Sequence, residues 1–341
     1  MQPQLFDPLN LTEEASLNSL ELRGLPGADP ACIGRHAFEV LSLHALQRLA
    51  AEAGDARTEA PDEGIDIGWL PHQPSGPGAI HTFGRRLGHL IATLTVDPGP
   101  GPSAHGWRRA FLGHWLALQR VWLAGGIVAG LGPLLLDAVR SEAARLGSQV
   151  RVEIAPHAGE LALVGAARTW PAEWRCAAVL DCGHTAVKRA VALADERGLR
   201  RLLRLPACPT AALGDQPSPQ ALARFVADCV FSTLEAAHAH GEPDGLVRLS
   251  VASYVRGGQP ISPRGLYGRL PVQRLLAEVR ARAGDPFDVR LGHDGTLAAA
   301  GLPAPGASAG VIVVGTYLGS GFPPPPDTLL HVASDFTIAD A

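Results

Sequence analysis

Apolar side chains recur along this chain with two different periods, and the change of period divides it. Over the first 120 residues they return every three or four positions, in Ile33 to Ala53, Thr82 to Leu94 and Trp107 to Leu118. That spacing predicts amphipathic helices. Between them, Gly54 to Pro77 is rich in Pro, Gly and acidic residues, and Asp97 to Gly106 reads Asp-Pro-Gly-Pro-Gly-Pro-Ser-Ala-His-Gly. Both are expected to be loops.

After Arg120 the pattern alternates. Arg120 to Ala124 reads as a short strand, Leu134 to Leu146 as an amphipathic helix and Gln149 to Ala155 as a second strand. A helix is predicted over Gly159 to Ala167. Cys176 to Asp181, Val187 to Ala194 and Leu199 to Leu205 follow as three strands with short polar turns. Connections that short suit an antiparallel meander, because parallel neighbours need a long crossover. Further on, helices are predicted at Ser218 to Ala239, Val272 to Ala283 and Thr296 to Ala300, and strands at Leu246 to Ala252, Phe287 to Leu291 and Gly310 to Val314. Pro323 to Pro326 reads as a stiff linker or strand breaker. Strands and helices mixed in this order predict an α/β fold.

Composition narrows the function classes. The 33 acidic residues outnumber the 29 basic ones for a net charge of −4, which excludes an electrostatic nucleic-acid binder. Every basic residue but Lys188 is Arg, as a GC-rich genome would give. The five cysteines, at 32, 176, 182, 208 and 229, include no Cys-x-x-Cys pair and fit reduced thiols in a cytoplasm. Met1 to Asn10 has neither a basic residue nor an apolar core, so no signal peptide is expected. The longest apolar run, Val121 to Leu136, is shorter than the roughly 20 residues that span a bilayer. No membrane partner is expected.

Four segments have residues suited to chemistry. Val179 to Lys188 is an apolar strand ending in Asp181, then Cys182-Gly183-His184-Thr185 and a second strand. Such a turn can cradle phosphate, and the Asp can hold magnesium through water; an ordinary hairpin with a polar tip reads equally from these residues. Val311 to Phe322 is a strand followed by Gly315, Thr316, Gly319, Ser320 and Gly321, where glycines admit a phosphate to the backbone. In Leu291 to Thr296, Asp294 stands at a strand end where it could take a proton from a substrate hydroxyl, or cap the helix that follows. Trp122 to Gly130 carries Gly125 and Gly126 at a strand-to-helix turn, which suits either a flat group packed on backbone or a tight connection.

Other residues carry less. The thirteen His include no His-Glu-x-x-His spacing, so His72, His81, His89, His238 and His240 read as surface or core histidines. No Gly-x-Ser-x-Gly elbow occurs. Between Ser250 and Leu270, Tyr254, Arg256, Gln259, Arg264 and Tyr267 lie among glycines and prolines, as a solvated loop or a set of hydroxyl-reading side chains.

Together the four segments resemble the sugar-kinase, actin and Hsp70-type ATPase superfamily, and within it the ROK glucokinase-like group. The family's first phosphate motif is similar to Asp-x-Gly-Gly-Thr-Lys-x-Lys, and Asp181, Gly183, Thr185 and Lys188 match it, with His184 for the second glycine and Ala186 for the first lysine. His293-Asp294 resembles its Asn-Asp pair, Gly315-Thr316-Tyr317 its second phosphate motif, and Gly125-Gly126 its adenosine motif. Val152 to Ala167 is similar to the alanine-rich helix that follows. The Cys-rich zinc motif of ROK kinases is absent, and Tyr317 stands where the family has glycine.

The motif order differs from the family's. Moving residues 1 to about 170 behind residue 341 restores it, as a circular permutation would. The resemblance therefore implies a two-lobed actin-like ATPase with ribonuclease H-like lobes. An adenosine-binding lobe of residues 1–170 and 305–341 would join a phosphate-1 and sugar-binding lobe of residues 171–304. It implies ATP and Mg²⁺ as cofactors, a sugar-like substrate, cytoplasmic location, and Asp294 as general base. Asp181 would position magnesium; Gly183, His184, Thr185, Lys188, Gly315, Thr316 and Gly319 would surround the phosphates; Gly125 and Gly126 would line the adenosine site. Tyr254, Gln259 and His293 would contact the sugar. A catalytically degenerate member, acting as a nucleotide or sugar sensor or scaffold, stands as the alternative, and homodimerisation is left open.

Overall fold

The computed structural model describes residues 6–52, 67–74, 76–97, 106–169, 175–214, 216–243, 245–284, 287–303 and 308–341. Most of the two expected loops, 53–66 and 98–105, lies outside the described residues.

In chain order the elements begin with helices α1 (Ala37–Leu41), α2 (Leu43–Glu52), α3 (Gly76–Thr95) and α4 (Gly106–Leu116), followed by β1 (Arg120–Ala124), α5 (Gly126–Arg145) and β2 (Arg151–Ile154). After α6 (Leu161–Arg168) come β3 (Cys176–Cys182), β4 (Ala186–Asp195), β5 (Gly198–Pro209), α7 (Pro219–His238) and β6 (Leu246–Val251). A small hairpin, β7 (Val255–Arg256) and β8 (Gln259–Pro260), precedes α8 (Val272–Ala283), β9 (Asp288–His293) and α9 (Asp294–Ala300). The chain continues with β10 (Ala309–Val314), β11 (Leu318–Gly321) and β12 (Val332–Asp340). Among the described residues no helix is long and apolar enough to cross a membrane.

The helix expected over Ile33 to Ala53 is split at Ser42. Its backbone is extended and its buried hydroxyl accepts the Ala45 amide at 3.2 Å, so Ser42 caps α2 and ends α1. Helix α5 begins at Gly126, well ahead of the predicted Leu134, and carries Pro133 inside it. Proline usually ends a helix, but here Ile127, Val128, Leu131 and Leu135 are buried along one face and hold both sides of it in register.

The chain divides into two compact units, one of described residues 6–159 and 308–322, the other of 160–303 and 323–341. In the first, a four-stranded sheet has the order β11-β10-β1-β2; β10, β1 and β2 are parallel and β11 returns antiparallel. Helix α5 makes the β1-to-β2 crossover and lies against α3. That crossing is close: a Cβ on Gly88 of α3 would sit 2.5 Å from the Val139 carbonyl oxygen of α5.

In the second unit the order is β12-β5-β4-β3-β6-β9. The predicted meander β3-β4-β5 is antiparallel, and β6 and β9 extend it in parallel beyond β3. Strand β3 is buried on both faces. Ala178, Leu180 and Cys182 pack with α7 and α8 residues such as Val226, Val230 and Leu275, whereas Ala177 and Val179 pack with Leu163 and Val164 of α6 and Leu297 of α9.

This division differs from the expected lobes in two places. Helix α6 belongs to the second unit because its apolar face closes the β3 and β4 side of that sheet. Strand β12, not anticipated from the sequence, belongs there because it pairs in parallel with the edge of β5. The buried Arg168 guanidinium fastens these parts, donating to the carbonyls of Ala300 (2.6 Å), Leu302 (2.5 Å) and Leu330 (3.0 Å).

Candidate active site

The second unit brings two of the expected carboxylates to one sheet face. Asp181, near the end of β3, follows Ala177 and Val179 at alternate positions, so it projects toward the α6 and α9 side. Asp294 is the first residue of α9, the helix that packs on that side. Buried Ser250 of β6 lies beside Asp181 in the parallel ladder, and its hydroxyl donates to Asp181 Oδ1 at 2.7 Å. Lys188 stands directly opposite Asp181 in the antiparallel register of β4.

Burial pushes the Asp294 carboxyl up to about 7, and the negative charge of Asp181 adds to the rise; the Gly295 amide, donating to Oδ1 at 2.6 Å, opposes it. The side chain keeps 24% of its surface exposed. A carboxyl titrating near 7 and open to solvent is suited to general-base work at neutral pH.

Capping of α9 falls to His293 and not to Asp294. The His293 Nδ1 accepts the Thr296 amide at 3.3 Å and lies 3.1 Å from the Thr296 hydroxyl. Its Nε2 is 3.2 Å from Asp294 Oδ1, and Tyr254 stacks on the ring at a centroid distance of 4.6 Å. Burial lowers His293 to about 4, so the ring is neutral at physiological pH. Tyr254 is therefore at the site through His293, while Gln259 stands exposed on the β7–β8 hairpin.

The β3–β4 turn is held from several sides. The Gly183 amide donates to the carbonyls of Asp181 and Ala186, both at 3.1 Å, and the buried Tyr267 hydroxyl donates to the Gly183 carbonyl at 3.0 Å. Thr210 donates its hydroxyl to the His184 carbonyl (2.6 Å) and its amide to the Thr185 carbonyl (3.0 Å). The His184 ring turns toward residues 265–267, edge-on to Tyr267 at 6.4 Å, and burial lowers it to about 4.

The remaining candidates lie in the first unit. Gly125 precedes α5 with φ +98°, and a Cβ there would meet the Val314 carbonyl oxygen at 2.4 Å. The close approach of β10 thus accounts for this glycine, and it sets Gly125 and Gly126 beside Gly315 at the ends of parallel strands β1 and β10. Gly315 donates to the Tyr317 carbonyl at 3.2 Å and accepts from the Leu43 amide at 3.1 Å. Tyr317, beside Thr316, stacks on Phe38 at 5.1 Å, and Gly319 is paired with Val313 in the β10–β11 ladder.

One site residue escaped the sequence reading: Ser250, whose one trace is a small hydroxyl within the apolar run of β6. His293 was named there, but its capping of α9 left no signal, since His is not among the usual cap residues. No protein-family model matches the chain, and no curated protein sequence matches it.

Proposed function

We propose that the protein is an ATP-dependent phosphotransferase acting on a hydroxyl of a sugar or related small molecule, with Asp294 as general base. One observation carries this: a partly exposed carboxyl raised to about 7 beside a second acidic side chain at the strand ends of one sheet. In this reading Asp294 accepts the proton of the substrate hydroxyl as that oxygen attacks the γ-phosphorus, giving a phosphate ester and ADP. The base supplies a factor of about 10²–10⁴, and positioning supplies the rest. The sheet order, a meander continued by two parallel strands, supports a ribonuclease H-like lobe. The glycine turns beside β1 and β10 would take the nucleotide, where helix α5 begins.

Among the described residues no three His, Cys, Asp or Glu side chains converge on one point. Magnesium commonly rests on one or two carboxylates, water and substrate phosphates, and Asp181 suits that mode. When bound, such an ion would neutralise phosphate charge. The expected assay is ADP release against a panel of hexoses and amino sugars, with loss of turnover in Asp294→Asn. Unchanged turnover in that variant rejects the mechanism.

A second reading, a degenerate sensor on the same fold, is favoured by the β3–β4 turn. Both the amide and the carbonyl of Gly183 are already bonded within the protein, and His184 fills the place of a glycine. Thermal stabilisation by nucleotide or sugar without turnover would support it.

A further inference from the structure

We propose that the first unit binds one internal water molecule, which donates to Nδ1 of His89 and accepts from Nε of Arg86, and so joins helix α3 to the segment of residues 23–32. His89 is 1% exposed, and its Nε2 lies 2.7 Å from the Arg23 carbonyl oxygen. A carbonyl can only accept, so Nε2 supplies the proton of that bond. Nδ1 is buried with no hydrogen-bond partner among the described residues, and the same holds for Arg86 Nε. Buried polar atoms in folded proteins are paired as a rule, with protein or with ordered water.

Arg86 and His89 stand three residues apart on α3, which sets them on one helix face, within reach of a single small ligand. Both line a cavity of about 10 Å³, together with Thr82 of the same helix and with Asp29 and Cys32 of the segment before α1. That is room for about one water molecule. Its occupant has to accept from a guanidinium N–H, which keeps its proton, and donate to an imidazole lone pair. Water does both. A halide can only accept, and the charges of Arg85 and Arg86 are balanced in the lining by those of Asp29 and Glu142, so no excess positive charge draws an anion. Nor do these carboxylates serve in place of the water. Glu142 is engaged by Arg85 at 3.2 Å and by Arg145 at 2.9 Å, and Asp29 Oδ1 accepts the Ala31 amide at 3.0 Å. The site is independent of the role given to Asp294.

A crystal structure of the whole chain, grown with bromide present, is expected to show one oxygen atom about 2.7–3.2 Å from both His89 Nδ1 and Arg86 Nε. An anomalous bromide peak at that point overturns the proposal, as does finding these two nitrogens bonded to protein atoms instead. In solution, the His89 Hε1 proton should give a cross-relaxation peak to water with the sign of a long-resident molecule, and absence of that peak also overturns it. Arg86→Met keeps the hydrocarbon stem and removes the Nε donor, so the peak is expected to be lost while the Arg23–His89 bond persists. An unchanged peak in this variant would reject Arg86 as the water's donor and with it the proposal. Should Arg86→Met fail to fold, the two measurements on the unaltered chain decide alone.

Discussion

The hydroxyl of Ser250 donates to Asp181 Oδ1 at 2.7 Å, and this bond joins two neighbouring strands, β6 and β3, at the edge that also carries Asp294. The negative charge of Asp181 adds to the burial that raises Asp294.

Ser250→Ala should lower stability by about 1.5 kcal/mol, the value of a hydrogen bond to a charged group. The urea midpoint should fall at unchanged slope, because the exposed area of the unfolded chain is the same. A changed slope would mean that the strand edge itself had opened.

Asp294 sets a pH dependence whose sign follows from its upward shift. A carboxyl that titrates near 7 when folded, and near its ordinary value when unfolded, stays protonated longer in the native state. Its contribution to stability is therefore present at about pH 4 and lost as the pH rises through about 7. At pH 8, Asp294→Asn should be the more stable protein by about 2 kcal/mol, a figure reduced for the solvent that reaches the carboxyl, and at pH 4 the two should coincide. Chemical denaturation at both values measures it.

The same titration governs the rate if Asp294 is the base. For an active substrate, kcat/KM should rise with pH and level off above about 7, since only the ionised carboxylate accepts a proton. A flat profile between pH 5 and 8 would remove Asp294 from the chemistry.

Gly125→Ala should destabilise the first unit by about 3 kcal/mol or more. The new Cβ would meet the Val314 carbonyl oxygen at 2.4 Å, and the residue would have to hold φ +98°. Gly126, inside the helix, is not among the positive-φ glycines, so Gly126→Ala should cost less than Gly125→Ala. Equal losses in the two variants would contradict the strand-contact account of Gly125.

Arg168→Met should cost about 3 kcal/mol, because three carbonyl oxygens lose their donor at once while the hydrocarbon stem is kept. Burial already lowers this guanidinium to about 10, so it is held by its bonds against a real desolvation cost. Arg168→Lys should recover only part of the loss, since one ammonium cannot reproduce the planar fork.

Much of this architecture was legible locally. The meander β3-β4-β5 was read to within a few residues, since alternating apolar positions broken by Asp-Glu-Arg-Gly or Gly-His-Thr turns are a short-range signal. Helices α7 and α8 were read to within two residues from apolar positions recurring every three or four residues, an equally short-range signal. Strand β12 was not, because Val332 to Asp340 is mostly solvent-facing and its pairing partner β5 lies far away in the chain. Strand β11 is Leu-Gly-Ser-Gly, a composition that reads as a turn until β10 supplies its ladder. Of the candidate site, Asp181 and Asp294 were found as acidic residues at strand ends, whereas the partner of Ser250 is brought near only by folding, and the cap of α9, though local, is made by a histidine, which is not among the usual cap residues.

The sequence by itself determined the approximate extents of β3, β4, β5, β6, β9, α7 and α8, that the sheet connections include a meander, and that acidic residues stand at the ends of β3 and β9. These follow from apolar period and turn residues, which act over a few positions. Tertiary structure alone decided that Asp294 resists ionisation, that burial keeps His293 neutral, and that Gly125 is glycine because of Val314. Each is set by desolvation, by the charge of a distant residue or by a close approach of backbones, and those quantities exist only once separate strands lie side by side.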